Sequence, residues 1–350
     1  MSRFLHTKYK SLVPYDTSEE IESLTGYIRL NTNESPYPPS PKAIAFAHEA
    51  SHGMNYYPDP ECSQLAGKIA DMLNVRPSNI VFGNGSDEIL SFIFMALCEH
   101  GAAFPDITYS FYKILADLHE VDCITVPLRD FRIDPADYHD MKGRTIFIAN
   151  PNAPTGTALT LPELERIITA NSDSIIVIDE AYIDFGAVSA VQFIHTYNNV
   201  IITRTFSKSR SLAGGRLGFS VACDELSQDL RTVKNTLTPY NINAMTQAAG
   251  LGALEDEEYT RNNIAAICSA REDTKAKLRD LGFDVIDSCT NFLFARHKYI
   301  SGGDIQSSLK AKGIIIRHFS SLPDYNRITI GTQDQMNALI SALKEITANA

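Results

Sequence analysis

A chain of 350 residues with 44% apolar side chains can bury a large core, and its length suggests two structural domains. Its 42 acidic against 31 basic residues give a net charge of −11, which argues against a binder of phosphate backbones, so no nucleic-acid partner is expected. The opening MSRFLHTKYK lacks the apolar core of a signal peptide, and no apolar run reaches the roughly 18 residues that span a bilayer, so no membrane partner and a cytoplasmic location are expected.

Residues 1–40 are polar and broken by Pro14, Pro36, Pro38 and Pro39, which predicts an extended arm packed on neighbouring parts and on a dimer partner. Helical spacing resumes from Pro41 to Ala50 and from Ser63 to Leu73. From there the chain alternates. Strands are predicted at Ile80 to Phe82, near Ala102, at Cys123 to Val126, Thr145 to Ala149, Ile175 to Ile178, Val200 to Thr203 and Phe219 to Ala222, with helices from Asp87 to Leu97 and Tyr112 to His119. Thr160 opens a further helix, with Glu163 at the reciprocal capping-box position. Short, continuous apolar strands are those covered by helices on both faces, so residues 41–245 read as an α/β domain with a large, mostly parallel sheet.

One long helical stretch is predicted from Thr246 to Leu281. Beyond it, strands at Phe283 to Ile286, Phe292 to Ala295, Ile314 to Arg317 and Arg327 to Ile330 alternate with helices, so residues 246–350 read as a smaller α+β domain. Thr332 and Gln335 form a capping box for the last helix. The six cysteines, Cys62, Cys98, Cys123, Cys223, Cys268 and Cys289, show neither a CxxC pair nor a Cys/His ligand spacing, so they read as reduced thiols with no metal.

Four segments carry chemistry. Lys208 follows an apolar strand within Thr203-Arg204-Thr205-Phe206-Ser207-Lys208 and is trailed by Ser209 to Gly218. Alone, such a lysine reads as solvated. Its company changes that, because Thr205, Ser207 and Arg216 offer two hydroxyls and a guanidinium, a suitable set for a phosphate dianion. In Gly83-Asn84-Gly85-Ser86-Asp87-Glu88 a strand ends, glycine permits a tight turn and a helix begins, so free amides and the helix dipole can face an anion. Asp179 ends a buried strand, where open α/β sheets place their ligands; it could merely cap the next turn, or it could keep a pyridine nitrogen protonated. The fourth segment, Asn150-Pro151-Asn152-Ala153-Pro154-Thr155-Gly156, is a turn directly after a strand.

In this order the four segments resemble the fold-type-I pyridoxal-phosphate aminotransferases over nearly the whole chain. Leu30-Asn31-Thr32-Asn33-Glu34-Ser35-Pro36, Tyr57-Pro58-Asp59-Pro60, the SKSRSLAG run and Ser320-Ser321-Leu322-Pro323 with Arg327 to Thr332 are similar to the histidinol-phosphate aminotransferase family. The resemblance implies pyridoxal 5'-phosphate held covalently on Lys208, its pyridinium paired with Asp179 and its phenolate met by Tyr182. It further implies that Thr205, Ser207, Arg216 and the turn Gly85-Ser86-Asp87 hold the phosphate, that Tyr109 stacks on the ring, and that Tyr57 reaches the phosphate of a second subunit in a homodimer. One position departs from the pattern. The family reads NPNNPTG, and here Ala153 replaces the asparagine that meets the phenolate, so either Asn152 compensates or Tyr182 binds the oxygen alone.

The implied substrates are L-histidinol phosphate and the pair 2-oxoglutarate and glutamate. Arg317 and Arg327, at strand ends bracketing a serine-containing loop, are the expected anion anchors, with Tyr15 and Asn33 of the arm closing over the substrate. An aromatic amino-acid aminotransferase and a lyase resembling threonine-phosphate decarboxylase share the cofactor residues and stay open as alternatives. A cofactor-sensing regulator would need a DNA-binding module, which this acidic chain does not offer.

Overall fold

The computed structural model of the chain describes residues 2–14 and 26–348. Its strands are β1 (Ile28–Leu30), β2 (Ile80–Asn84), β3 (Ala102–Pro105), β4 (Cys123–Val126), β5 (Thr145–Ala149), β6 (Ile176–Asp179), β7 (Val200–Thr205), β8 (Leu217–Ala222), β9 (Phe283–Val285), β10 (Phe292–His297), β11 (Ile314–His318) and β12 (Tyr325–Thr329). They form two sheets.

The larger sheet has seven strands in the order β2-β8-β7-β6-β5-β3-β4. Strands β3 to β7 pair parallel, whereas β8 runs antiparallel to both of its neighbours, β2 and β7. Both faces are dry. Along β6, Ile176 and Ile178 pack into one cluster and Val177 into another on the opposite face, all fully buried. That alternation is why these strands read as unbroken apolar runs, each buried aliphatic side chain contributing about 1.5–3 kcal/mol.

The smaller sheet has the order β1-β11-β12-β10-β9, with β1 parallel to β11 and the rest antiparallel. Its own cluster includes Leu30, Ile314, Ile316 and Ile328. Part of the N-terminal arm is thus an edge strand of this sheet, and residues 31–33 continue from it toward the larger one.

The predicted helix from Thr246 to Leu281 is in fact two, Ala244–Glu255 and Glu257–Asp280, broken at Asp256. The acidic run explains the break: Glu257 and Glu258 are favourable in a first turn and unfavourable inside the last turn of a preceding helix. Lys42 Nζ donates to the Glu255 carbonyl and closes the first helix. The capping boxes at Thr160/Glu163 and Thr332/Gln335 form as expected. Among the described residues no helix is long and apolar enough to cross a membrane.

Candidate active site

Topology alone gathers the predicted residues. Parallel strands end on one edge of the sheet, so Asn84, Ala149, Asp179 and Thr205 leave β2, β5, β6 and β7 on the same side. Strand β8 runs the other way, so Arg216, which precedes it, reaches that edge too. There a cavity of about 340 Å³ is lined by Ser86, Asp87, Tyr109, Ala153, Asp179 and Tyr182, and by Thr205, Ser207, Lys208 and Arg216.

Lys208 Nζ donates a 3.2 Å hydrogen bond to the Thr32 carbonyl and lies 5.8 Å from the Tyr182 ring centre. Asp179 is 5% exposed. It accepts from Tyr112 Oη at 2.9 Å and from the Ala181 amide at 3.2 Å. Burial pushes its carboxyl up from 3.8 to about 6, against the hydrogen bonds from Tyr112 and Ala181, which favour the ionised form. A buried carboxylate held by neutral donors, at the floor of a cavity, is well placed for a cation arriving from the cavity side.

At the other end of the cavity Thr205 Oγ1 donates to Ser207 Oγ at 3.0 Å and accepts from the Ser207 amide at 3.1 Å. Gly85, with φ of 81°, caps the helix Ser86–Leu97. A Cβ here would collide with Nη2 of Arg216 and lie 2.9 Å from its Cζ, so glycine is what lets the guanidinium lie against the turn. Two hydroxyls, a guanidinium and a helix N-terminus make a cradle for an oxyanion.

Asp87 takes a different part in that cradle from the one expected. Its carboxylate can only accept hydrogen bonds and would repel a phosphate, so only its backbone amide suits that ligand. Its oxygens instead hold two neighbours, accepting from Arg216 Nη2 at 2.9 Å and from Tyr109 Oη at 2.8 Å. Burial and the adjacent Asp87 charge raise the Tyr109 hydroxyl well above 10, so it stays a donor.

Other expectations are corrected. Asn152 does not reach the cavity: its amide donates to the Ile107 carbonyl and to Thr155 Oγ1, and its oxygen accepts from Thr108. Ala153 lines the cavity in its place. Asn33 is 1% exposed and donates from Nδ2 to Tyr182 Oη at 2.8 Å, so its side chain is committed to a protein group and has no face for substrate. Tyr15 lies outside the described residues. Tyr57 is 82% exposed and stacks on Tyr240 with ring centres 4.6 Å apart, away from the cavity of its own chain.

Arg317 and Arg327 face each other directly across β11 and β12. Arg327 Nη2 donates to the Asn31 carbonyl at 2.7 Å, and its guanidinium lies 5.5 Å from the Phe292 ring centre. Thus Asn31, Thr32 and Asn33 link in turn to Arg327, Lys208 and Tyr182. Sequence reasoning missed Tyr112 and Thr32. Tyr112 stands in the first turn of the helix Phe111–His119, with Tyr109 in the loop just before it, and nothing in that spacing sets it apart from a core tyrosine.

An aromatic ring with a cationic nitrogen at Asp179, a carbonyl carbon near Lys208 and a phosphate at Arg216 suits this donor set. The chain matches the family model for aminotransferase class I and II over residues 25–343. It is 45% identical to the histidinol-phosphate aminotransferase of Brachyspira hyodysenteriae, with 100% of both chains covered. It is 44% identical to histidinol-phosphate aminotransferase 1 of Bordetella parapertussis, with 99% of each covered. Among solved structures it is similar to histidinol-phosphate aminotransferase from Sinorhizobium meliloti in complex with pyridoxal-5'-phosphate, with a TM-score of 0.89, 25% identity and coverage of 100% of this chain and 98% of that one.

Proposed function

This chain belongs to the class I and II aminotransferases and, within them, to the histidinol-phosphate aminotransferase family, and we propose that it exchanges an amino group between L-histidinol phosphate and 2-oxoglutarate. The products are imidazole acetol phosphate and L-glutamate, a step of histidine biosynthesis. The observation that carries the reading is the convergence of Lys208, Asp179 and Arg216 on one cavity, from segments spread over the α/β core.

Pyridoxal 5'-phosphate is the cofactor, and when bound it supplies an electron sink that acidifies the proton on the substrate's α-carbon. Lys208 Nζ is the attachment point and, once free, the base that takes that proton and the acid that returns it. Asp179, its charge favoured by Tyr112 and the Ala181 amide, keeps the pyridine nitrogen protonated. Tyr182 would donate to the ring's phenolate oxygen, Tyr109 would cover the ring face, and Thr205, Ser207, Arg216 and the amides of Gly85, Ser86 and Asp87 would hold the phosphate.

Arg317 and Arg327 bind the substrate's phosphate, and in the second half-reaction a carboxylate of 2-oxoglutarate. Register sets the two arginines opposite one another on neighbouring strands, so one anion could meet both. The site is completed in a homodimer, where the exposed Tyr57 ring reaches the partner's phosphate cradle. A cytoplasmic location goes with this reading of the enzyme as a step of histidine biosynthesis.

The deciding experiment is a half-reaction with L-histidinol phosphate, followed by loss of the cofactor's long-wavelength absorbance. Conversion should be faster than with L-phenylalanine, and L-threonine phosphate, which unlike histidinol phosphate has a carboxyl group to lose, should release no carbon dioxide. Equal rates would redirect the substrate assignment to aromatic amino acids, and carbon dioxide release from L-threonine phosphate would make the enzyme a lyase.

A further inference from the structure

We propose that Asn33 is a positioning residue for the cofactor ring, its side-chain amide directing the Tyr182 hydroxyl proton into the cavity. The inference rests on the roles of Lys208 and Tyr182 given above. A tyrosine hydroxyl has one proton to give. Because Asn33 Nδ2 donates to Tyr182 Oη at 2.8 Å, that proton has to point elsewhere, and Tyr182 lines the cavity.

The direction of the amide is itself fixed. Thr329 Oγ1 donates to Asn33 Oδ1 at 2.9 Å, and the same hydroxyl accepts from the Asn33 backbone amide at 3.0 Å. The oxygen end is therefore taken by β12, and only the NH₂ end can face Tyr182. Asn291 Nδ2 holds the Asn33 carbonyl at 3.0 Å, which anchors the backbone at its φ of 56°. The Tyr182 ring is fixed as well, edge to face against Phe292 at 5.1 Å and 90°. A relay of defined donors thus runs from Thr329 through Asn33 to Tyr182, from the smaller sheet to the ring.

Ala153 gives the relay its weight. The loop after β5 brings a methyl group to the cavity, and the nearby Asn152 amide is spent on the Ile107 carbonyl and Thr155 Oγ1. Tyr182 then carries the donation to the phenolate without help from that loop. Misdirecting its proton leaves more negative charge on the oxygen, which favours the protonated form of the Lys208 linkage and raises its pKa.

The test is a pH titration of cofactor absorbance in the full-length holoenzyme. Asn33→Gly removes the amide and accepts the left-handed backbone without strain. Its midpoint should rise by about half a unit or more, as should that of Tyr182→Phe. The double variant should rise no further than Tyr182→Phe alone. Asn33 acting only as an anchor for the arm would leave the midpoint unmoved or add to the Tyr182→Phe shift, and either result overturns the proposal.

If Asn33→Gly does not fold, Thr329→Val releases the oxygen end of the amide at nearly constant volume, and an unchanged midpoint there is equally decisive. Conversely, Ala153→Asn adds a donor on the loop side and should lower the midpoint. The other ionisable and charged groups that share the cavity with Lys208, namely Glu34, Asp87, Tyr109, Asp179 and Arg216, are unaltered in these variants. Borohydride fixation of the wild-type absorbance on a residue other than Lys208 would overturn the Lys208 reading, and this inference with it.

Discussion

Tyr112 Oη donates a 2.9 Å hydrogen bond to Asp179 Oδ2 across 67 positions of sequence, joining the first turn of a helix to the end of a central strand. The tyrosine is fully buried, and burial together with the Asp179 charge raises its hydroxyl well above 10, so it remains a donor across the working range. It favours the carboxylate that a protonated ring nitrogen requires.

Tyr112→Phe should therefore slow the half-reaction roughly tenfold or more, the value of one hydrogen bond to a charged group. The Michaelis constant should change little, because Tyr112 lies behind Asp179 and away from the substrate side. Stopped-flow absorbance measures both, and a wild-type rate would show that Asp179 holds its charge without this donor.

In the cofactor-free protein the contribution of Asp179 to stability should fall as pH rises. Asp179 binds its proton more tightly folded than unfolded, since burial lifts its pKa from 3.8 to about 6. The sign follows: its contribution is complete below about pH 4 and is lost as pH climbs through about 6, to the extent of roughly 3 kcal/mol. Urea unfolding of the cofactor-free protein at stepped pH should show this slope as the difference between wild type and Asp179→Asn, and a difference that does not change with pH would overturn it. Added pyridoxal phosphate should reverse the trend by supplying a cation beside the carboxylate.

Gly85→Ala should weaken cofactor binding by roughly tenfold or more, from strain at positive φ and displacement of Arg216. Fluorescence titration with pyridoxal phosphate measures it. Because Arg216 and Tyr109 share Asp87, the variant should also perturb the ring's circular dichroism, whereas an effect confined to the phosphate would leave that signal alone.

Arg327→Gln and Arg317→Gln should each raise the Michaelis constant for L-histidinol phosphate by about ten- to a hundredfold, the loss of a charge-assisted hydrogen bond. The absorbance midpoint of the resting cofactor should be little changed by Arg317→Gln. Arg327→Gln also frees the Asn31 carbonyl, so a small shift through the arm is expected there. Steady-state kinetics that are wild type in both would remove these arginines from the substrate site.

Several elements are legible in the sequence. The buried strands β5, β6 and β7 announce themselves as apolar runs, and the capping boxes at Thr160 and Thr332 mark helix starts, because both signals depend only on neighbours within a few residues. The same local logic failed at Asp256. There the break comes from charge near two helix ends, with no glycine or proline to mark it.

By itself, the sequence determined the chemistry on offer: a lysine behind an apolar strand, an aspartate at the end of another, and a glycine turn opening a helix, each readable from backbone and side-chain properties at short range. Tertiary structure decided which polar groups spend their hydrogen bonds on one another. It turned Asn152 to the Ile107 carbonyl, Asn33 from the substrate to Tyr182, and gave the Asp87 carboxylate to Arg216 and Tyr109. It also put Tyr112 under Asp179. These partners are tens to hundreds of residues apart, and hydrogen bonds act only over about 3 Å, so the pairings exist only once the two sheets and the arm have packed.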